Sequence, residues 1–170
     1  MAGAPPTPGD RWRTWVRPMA AVGVATGLYF VLPLGAGDLR DWQWVVRGLG
    51  LLLGLPGLTW LVATQVRRAM DAGRRIGERL AMLITVVDVV VVFFAALYTL
   101  LADQFDGLDT RLDALYFAVT TLTTVGYGDI TATGQAARAV VIVQMFFDLI
   151  IVTSAISIVV GALNPPRSPA

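Results

Sequence analysis

Between Thr120 and Ile130 the chain reads Thr-Thr-Leu-Thr-Thr-Val-Gly-Tyr-Gly-Asp-Ile, with glycines alternating with larger residues between two apolar regions. Successive carbonyls of an ordinary strand point to opposite sides. Turning a row of them the same way needs dihedrals that glycine adopts cheaply and other residues avoid. Val125-Gly126-Tyr127-Gly128 suits such a backbone. Aligned carbonyls replace the water around a monovalent cation without adding net charge. Val125 and Tyr127 would then point away from the ion axis as a cuff that sets its diameter, and Thr124 would add its hydroxyl as the innermost ligand. A plain Gly-Thr turn is the bland alternative. The order of glycines, tyrosine and Asp129 between apolar spans argues against it.

The run Thr124-Val125-Gly126-Tyr127-Gly128 resembles the selectivity filter of the potassium channel family, and the resemblance covers roughly Asp103 to Leu163. It does not extend convincingly to the first eighty residues. The resemblance implies an all-α integral membrane fold with four transmembrane helices, and a re-entrant pore helix and filter between the third and the fourth. It implies an outer helix over 81–102, a pore helix over 113–123, the filter at 124–128 and an inner helix over 136–163. Potassium would be held at Thr124, Val125, Gly126 and Tyr127. Tyr116 and Phe117 stand where related channels carry an aromatic pair bracing the filter, Thr120 is a further support, and Asp129 stands where the family uses a carboxylate behind it. Each ring of oxygens needs four loops. This chain supplies one, so a homotetramer around a central pore is expected.

Hydropathy fits this plan. With 56% hydrophobic and 15% charged residues, the chain is too apolar for an ordinary soluble domain. Residues 1–17 read as a disordered, interfacial N-terminus, with Met1–Gly9 rich in proline and Arg11, Arg13 and Arg17 interleaved with Trp12 and Trp15. Two accessory spans are expected within 18–66, the first from Pro18 to about Gly35 and the second from Val45 to about Val66. A cleaved signal peptide is the competing reading of the first. Gly54 and Pro56-Gly57 are expected to kink or loosen the second. The arginine-rich linker 67–80 carries Arg67, Arg68, Arg74, Arg75 and Arg79, which place it on the cytoplasmic side. It reads either as topology-setting charge or as a short amphipathic helix attracting anionic lipid. The pore domain occupies 81–163 and a short tail 164–170. Both termini then lie in the cytoplasm of a multi-pass protein of the plasma membrane.

Asp88 and Asp148 lie inside predicted spans, where a carboxylate is costly and is a functional candidate by default. Asp148 falls twenty residues past Gly128, where many related channels have a hinge glycine, and Gly161 is the glycine of the inner helix. Two readings stand for Asp148: a ring of four carboxylates near the cavity that gathers magnesium or polyamines, or a place facing a neighbouring helix, protonated or hydrogen-bonded to a hydroxyl such as Thr153 on another chain. Asp88 reads as a helix-interface residue, with pH sensing as the alternative. Val152, Ile156 and Val160 are spaced by one helical turn and are candidates to line and close the lower pore by dewetting.

Other functions are set aside on composition. All thirteen basic residues are arginine; the chain has neither cysteine nor histidine. No catalytic arrangement, cofactor or nucleic-acid partner is expected. The second span holds only Arg47, so it is not a voltage sensor, and a two-pore channel would need a second filter sequence. Nothing in the short tail suggests a nucleotide- or calcium-sensing domain. A non-conducting modulatory subunit with a pore-like fold is the rival from another class. A transporter with internal repeats is a more distant one.

Overall fold

A computed structural model of the chain describes residues 8–31, 43–70 and 76–163. These form helices α1 (Pro8–Val31), α2 (Gln43–Met70) and α3 (Ile76–Leu100), a 3₁₀ turn at Ala102–Gln104, α4 (Arg111–Leu122) and α5 (Gln135–Leu163). Two short strands, β1 (Phe105–Asp106) and β2 (Thr131–Ala132), pair antiparallel with Phe105 opposite Ala132. The chain is mostly helical, as expected, and the ribbon is an addition that the sequence does not announce.

The hub is α3, which packs against α1, α2, α4 and α5. Val90, Phe94, Ala95 and Tyr98 are fully enclosed along it. Among the described residues, α3 and α5 are long and apolar enough to cross a membrane, with mean hydropathies of 2.8 and 2.3. At 1.5 Å per residue, a helix of this length exceeds the roughly 30 Å hydrocarbon core. The apolar part of α1 is the shorter run Val22–Val31.

Several boundaries differ from the sequence reading, each for a local reason. Helix α1 begins at Pro8, inside the stretch expected to be disordered. Proline at the first helical position loses no helical hydrogen bond and has its φ already set. The helix is described as far as Val31, and the expected end near Gly35 lies with residues 1–7 and 32–42 outside the described part. Arg67 and Arg68 are not in a separate linker helix but in the last turn of α2, where their charge complements the helix dipole. Arg79 belongs to the start of α3, which opens at Ile76 rather than at residue 81. Arg74 and Arg75 lie outside the described residues. Pro56 sits within α2, which continues to Met70. Gly54 serves packing: a Cβ there would lie 2.7 Å from the Phe93 ring of α3.

The entry to α4 is built from two sets of hydrogen bonds. A capping box starts the helix at Arg111, two residues before the expected position. The Thr110 hydroxyl accepts from the Asp113 amide, and the Asp113 carboxylate accepts from the Thr110 amide at 2.7 Å. The second set joins this end to α1. Tyr29, nearly fully buried, donates its hydroxyl to the Arg111 carbonyl at 2.7 Å and lies 3.0 Å from Thr99 Oγ1 of α3. The Arg111 guanidinium returns to the Tyr29 and Phe30 carbonyls at 3.1 and 2.7 Å, which caps the C-terminal end of α1. Further along, Thr26 donates to Asp88 Oδ1 at 3.0 Å, so Asp88 sits at the α1–α3 interface.

Two outcomes follow from these contacts. Arg111→Met is expected to cost about 1–3 kcal/mol, because it strips a charged donor from two carbonyls, and Tyr29→Phe about 1 kcal/mol. Thermal unfolding of the detergent-solubilised protein measures both, with faster amide exchange expected at the end of α1. The hydrogen bonds from Thr110 hold the Asp113 carboxyl below its ordinary value. Because the folded value is the depressed one, the box is intact above the ordinary carboxylate pKa of about 4 and is lost only as pH falls below it. Exchange protection at the start of α4 is therefore expected to be flat from pH 8 to about pH 5 and to drop in more acid solution.

Candidate ion-coordinating loop

Where α4 ends, the backbone turns back on itself and stays close to the helix. The Thr123 amide donates to the Val119 carbonyl at 2.9 Å, and the Thr124 amide to the Thr121 carbonyl at 3.0 Å. The amides of Val125 and Gly126 both donate to the Thr120 carbonyl, at 3.0 and 3.3 Å. Thr120 thus supports the loop through its backbone, a role its side chain does not signal. Its hydroxyl donates back to Phe117 O at 3.0 Å.

Thr124, Gly126 and Gly128 all have positive φ, at 58°, 52° and 79°. Left-handed residues alternating with ordinary ones turn consecutive carbonyls towards one side, which is the geometry expected from the glycine spacing. Thr124 is the surprise. It is the one non-glycine residue with positive φ among those described, and a β-branched side chain there carries on the order of 1–3 kcal/mol of strain. Such strain persists only where the surroundings over-determine the conformation.

A strut behind the loop links it to α4. The Tyr116 hydroxyl donates to Asp129 Oδ2 at 2.9 Å, and the Tyr116 and Tyr127 rings stack with centroids 6.4 Å apart and planes 2° off parallel. Tyr116 and Asp129 therefore meet, a pairing the sequence reading did not make. Phe117 does not join them. Its ring packs edge-on against Tyr98 and Phe105, at 5.1 and 5.3 Å, and so fixes α4 to α3 and β1. The reason is angular: consecutive helical residues point about 100° apart, so adjacent aromatics cannot face the same partner.

The far end of the loop is held as firmly. Gly107 has φ 77°, and a Cβ there would lie 2.7 Å from the Asp129 carbonyl, so only glycine lets the two strands approach. Gln104 accepts the Thr133 and Gly134 amides on its carbonyl, and its side-chain oxygen accepts from the Ala137 amide in the first turn of α5 at 3.2 Å. Between loop and α5 lies a cleft of about 380 Å³, bordered by Thr120, Thr124, Tyr127, Val141 and Met145.

The outer face of the loop is bare in the single chain. Tyr127 is 72% exposed and Val125 51%. A parallel apolar stripe on α5 includes Met145, Phe146, Leu149, Val152, Ile156 and Val160, all exposed. Asp148 does not belong to that stripe, contrary to the reading that placed it in a ring near the cavity. It is 5% exposed and turned towards α3 and α4, where Oδ2 accepts from Gln144 Nε2 at 3.2 Å. Steps of four residues rotate about 40° around a helix, so Val152, Ile156 and Val160 move progressively away from its face. Within the chain, the Thr153 hydroxyl donates to the Leu149 and Ile150 carbonyls of its own helix. Ser154 and Ser157 make similar bonds to Ile150 and Thr153. The residue that sequence reasoning missed is Gln144, fully buried in the middle of α5. A glutamine in the middle of a hydrophobic helix was the signal.

Comparison with known proteins agrees with this geometry. Residues 85–164 match the ion channel family. Over 72 residues the chain is 38% identical to two-pore potassium channel 1 of Arabidopsis thaliana, covering 36% of this chain and 20% of that protein. Over 66 residues it is 39% identical to two-pore potassium channel 4 of the same plant, covering 38% and 22% respectively. The match thus spans about a fifth of the length of these relatives. No solved structure matches the chain. The matched region holds α4, the loop and most of α3 and α5, and there the comparisons support a potassium channel family for this multi-pass membrane protein.

Proposed function

We propose that the protein conducts potassium passively across a membrane, through a pore made by four copies of the chain. The observation that carries this reading is the run of positive φ at Thr124, Gly126 and Gly128, which turns a row of backbone carbonyls to one side of the loop. One such row cannot surround an ion; four around an axis can. The exposed Val125 and Tyr127 and the apolar stripe of α5 are the surfaces that neighbouring copies would cover. Selection over sodium follows from carbonyl number and field strength, with Thr124, Val125, Gly126 and Tyr127 holding the ion. Helix α4 aims its C-terminal end at the cavity, where its partial negative charge favours a cation.

In this reading α1 and α2 are two further crossings, and both termini face the cytoplasm with Arg67, Arg68 and Arg79. The helices widen the wall around the pore and carry no gating charge. Val152, Ile156 and Val160 border the lower pore, and closure there would be by dewetting. An anionic-lipid contact at the arginines is the secondary proposal, and flux independent of anionic lipid content would dispose of it.

Purified protein in liposomes is expected to release potassium down its gradient, with barium blocking the flux and sodium scarcely passing. Absence of barium-sensitive flux from cross-linked tetramers would favour a non-conducting subunit. Gly126→Ala is a sharper probe. Within one chain its Cβ meets nothing within 4 Å, so the effect comes from φ 52° and from neighbouring copies. The backbone penalty is about 1–2 kcal/mol per subunit, and the potassium-to-sodium permeability ratio is expected to collapse towards about one. Bi-ionic reversal potentials read this directly.

A further inference from the structure

Behind α4, four residues form a buried polar group in an otherwise apolar interior, with Asp148 Oδ1 left without a partner. Gln144 of α5 is at its centre. Its Nε2 donates to the Ala118 carbonyl of α4 at 2.9 Å and to Asp148 Oδ2 at 3.2 Å. Its Oε1 accepts from the Tyr98 hydroxyl of α3 at 2.5 Å. Gln144, Tyr98 and Ala118 are fully buried, and Asp148 is nearly so. The partners fix the amide's orientation: a carbonyl and a carboxylate oxygen need donors, and a phenol oxygen held at Oε1 supplies one. Asp148 lies one helical turn from Gln144, so it holds the side chain in this pose from its own helix.

We infer that Gln144 is a positioning residue for ion selection, tying the inner helix to the filter end of the pore helix. The tie rests on the conducting reading above and deepens it. Ala118 is two residues before Thr120, whose carbonyl receives the Val125 and Gly126 amides. Displacing the Ala118 carbonyl carries the Thr120 carbonyl with it, and with that the carbonyl row of the loop. The N-terminal end of α4 is held by Tyr29 and by the Thr110–Asp113 box, and its middle by the Tyr116–Asp129 strut. Among the described residues, Gln144 is the side chain from another helix that bonds the backbone of the C-terminal half of α4. Movement of α5 at this level therefore reaches the loop through one amide. The arrangement also gives Asp148 its task, which is to aim Gln144 rather than to face an ion.

The test uses full-length protein and two variants. Gln144→Met keeps the volume and loses all three hydrogen bonds; Tyr98→Phe loses one hydroxyl and leaves the packing. In liposomes, Gln144→Met is expected to lower the potassium-to-sodium permeability ratio about tenfold and Tyr98→Phe about threefold. The double variant is expected to match Gln144→Met alone, because both act through one amide. A purely structural contact would lower thermal stability and leave the ratio of surviving channels unchanged, and that result overturns the tie. Should Gln144→Met fail to assemble, Tyr98→Phe decides by the same ratio. Amide exchange over residues 119–126 gives a second arm that needs no conduction. About tenfold faster exchange there in Gln144→Met, with α1 unaffected, is expected, and unaltered exchange overturns the tie. A wild type that conducts nothing defeats the channel reading alone, and the exchange arm still decides for or against the tie.

Discussion

Backbone that is neither helix nor sheet survives at membrane depth only where protein takes up its polar groups, and in the conducting reading five residues of this chain live under that rule. The amides of Val125 and Gly126 are absorbed by one carbonyl, that of Thr120, which frees the loop carbonyls to point elsewhere. Everything around the loop can be read as enforcement of that division. The Tyr116–Asp129 strut fixes its exit, Gly107 permits close passage of the Asp129 backbone, and Gln104 binds the return strand to α5. Strained Thr124 shows how firmly the division is imposed, because a threonine at φ 58° would relax if its neighbours allowed.

How much of this was legible depended on whether a residue's demand is local. The glycines at 126 and 128 declare their dihedrals by lacking a Cβ, so the loop could be read from the sequence. The helices were legible as apolar runs, but their ends were not. Pro8 and the Thr110–Asp113 box moved two starts earlier than hydropathy suggested. Long-range partners left no trace. Arg111 looks like a stray charge in an acidic segment until α1 supplies two carbonyls from 81 and 82 residues away. Asp148 stayed open between two readings for a similar reason, and the buried one, against a neighbouring helix, is the one that fits. A four-residue spacing groups it with Val152, whereas its true neighbour is Gln144 on the buried side.

The buried polar groups share a pattern. Asp88 meets Thr26 on α1, Tyr29 meets Thr99 and Arg111, and Gln144 meets Tyr98, Asp148 and Ala118. Each lies where two or three helices cross, and each specifies a register that apolar contact alone would leave loose. Between hydrocarbon side chains in a bilayer there is no aqueous penalty to drive helices together, so hydrogen bonds and close packing share the work. Gly54 under the Phe93 ring is the packing counterpart of the same strategy.

The joint between α1 and Arg111 also bears on the order in which the chain takes shape. Tyr29 leaves the ribosome 82 residues before the arginine whose carbonyl it binds. At synthesis rates of about 5–20 residues per second, that gap is roughly 4–16 s. Through this interval α1 waits without the Arg111 clamp while α2 and α3 are made. Only when residue 111 emerges does the joint close, so the clamp on the first turn of α4 is set after its scaffold is in place. The earliest helix in the chain is thus among the last to be locked.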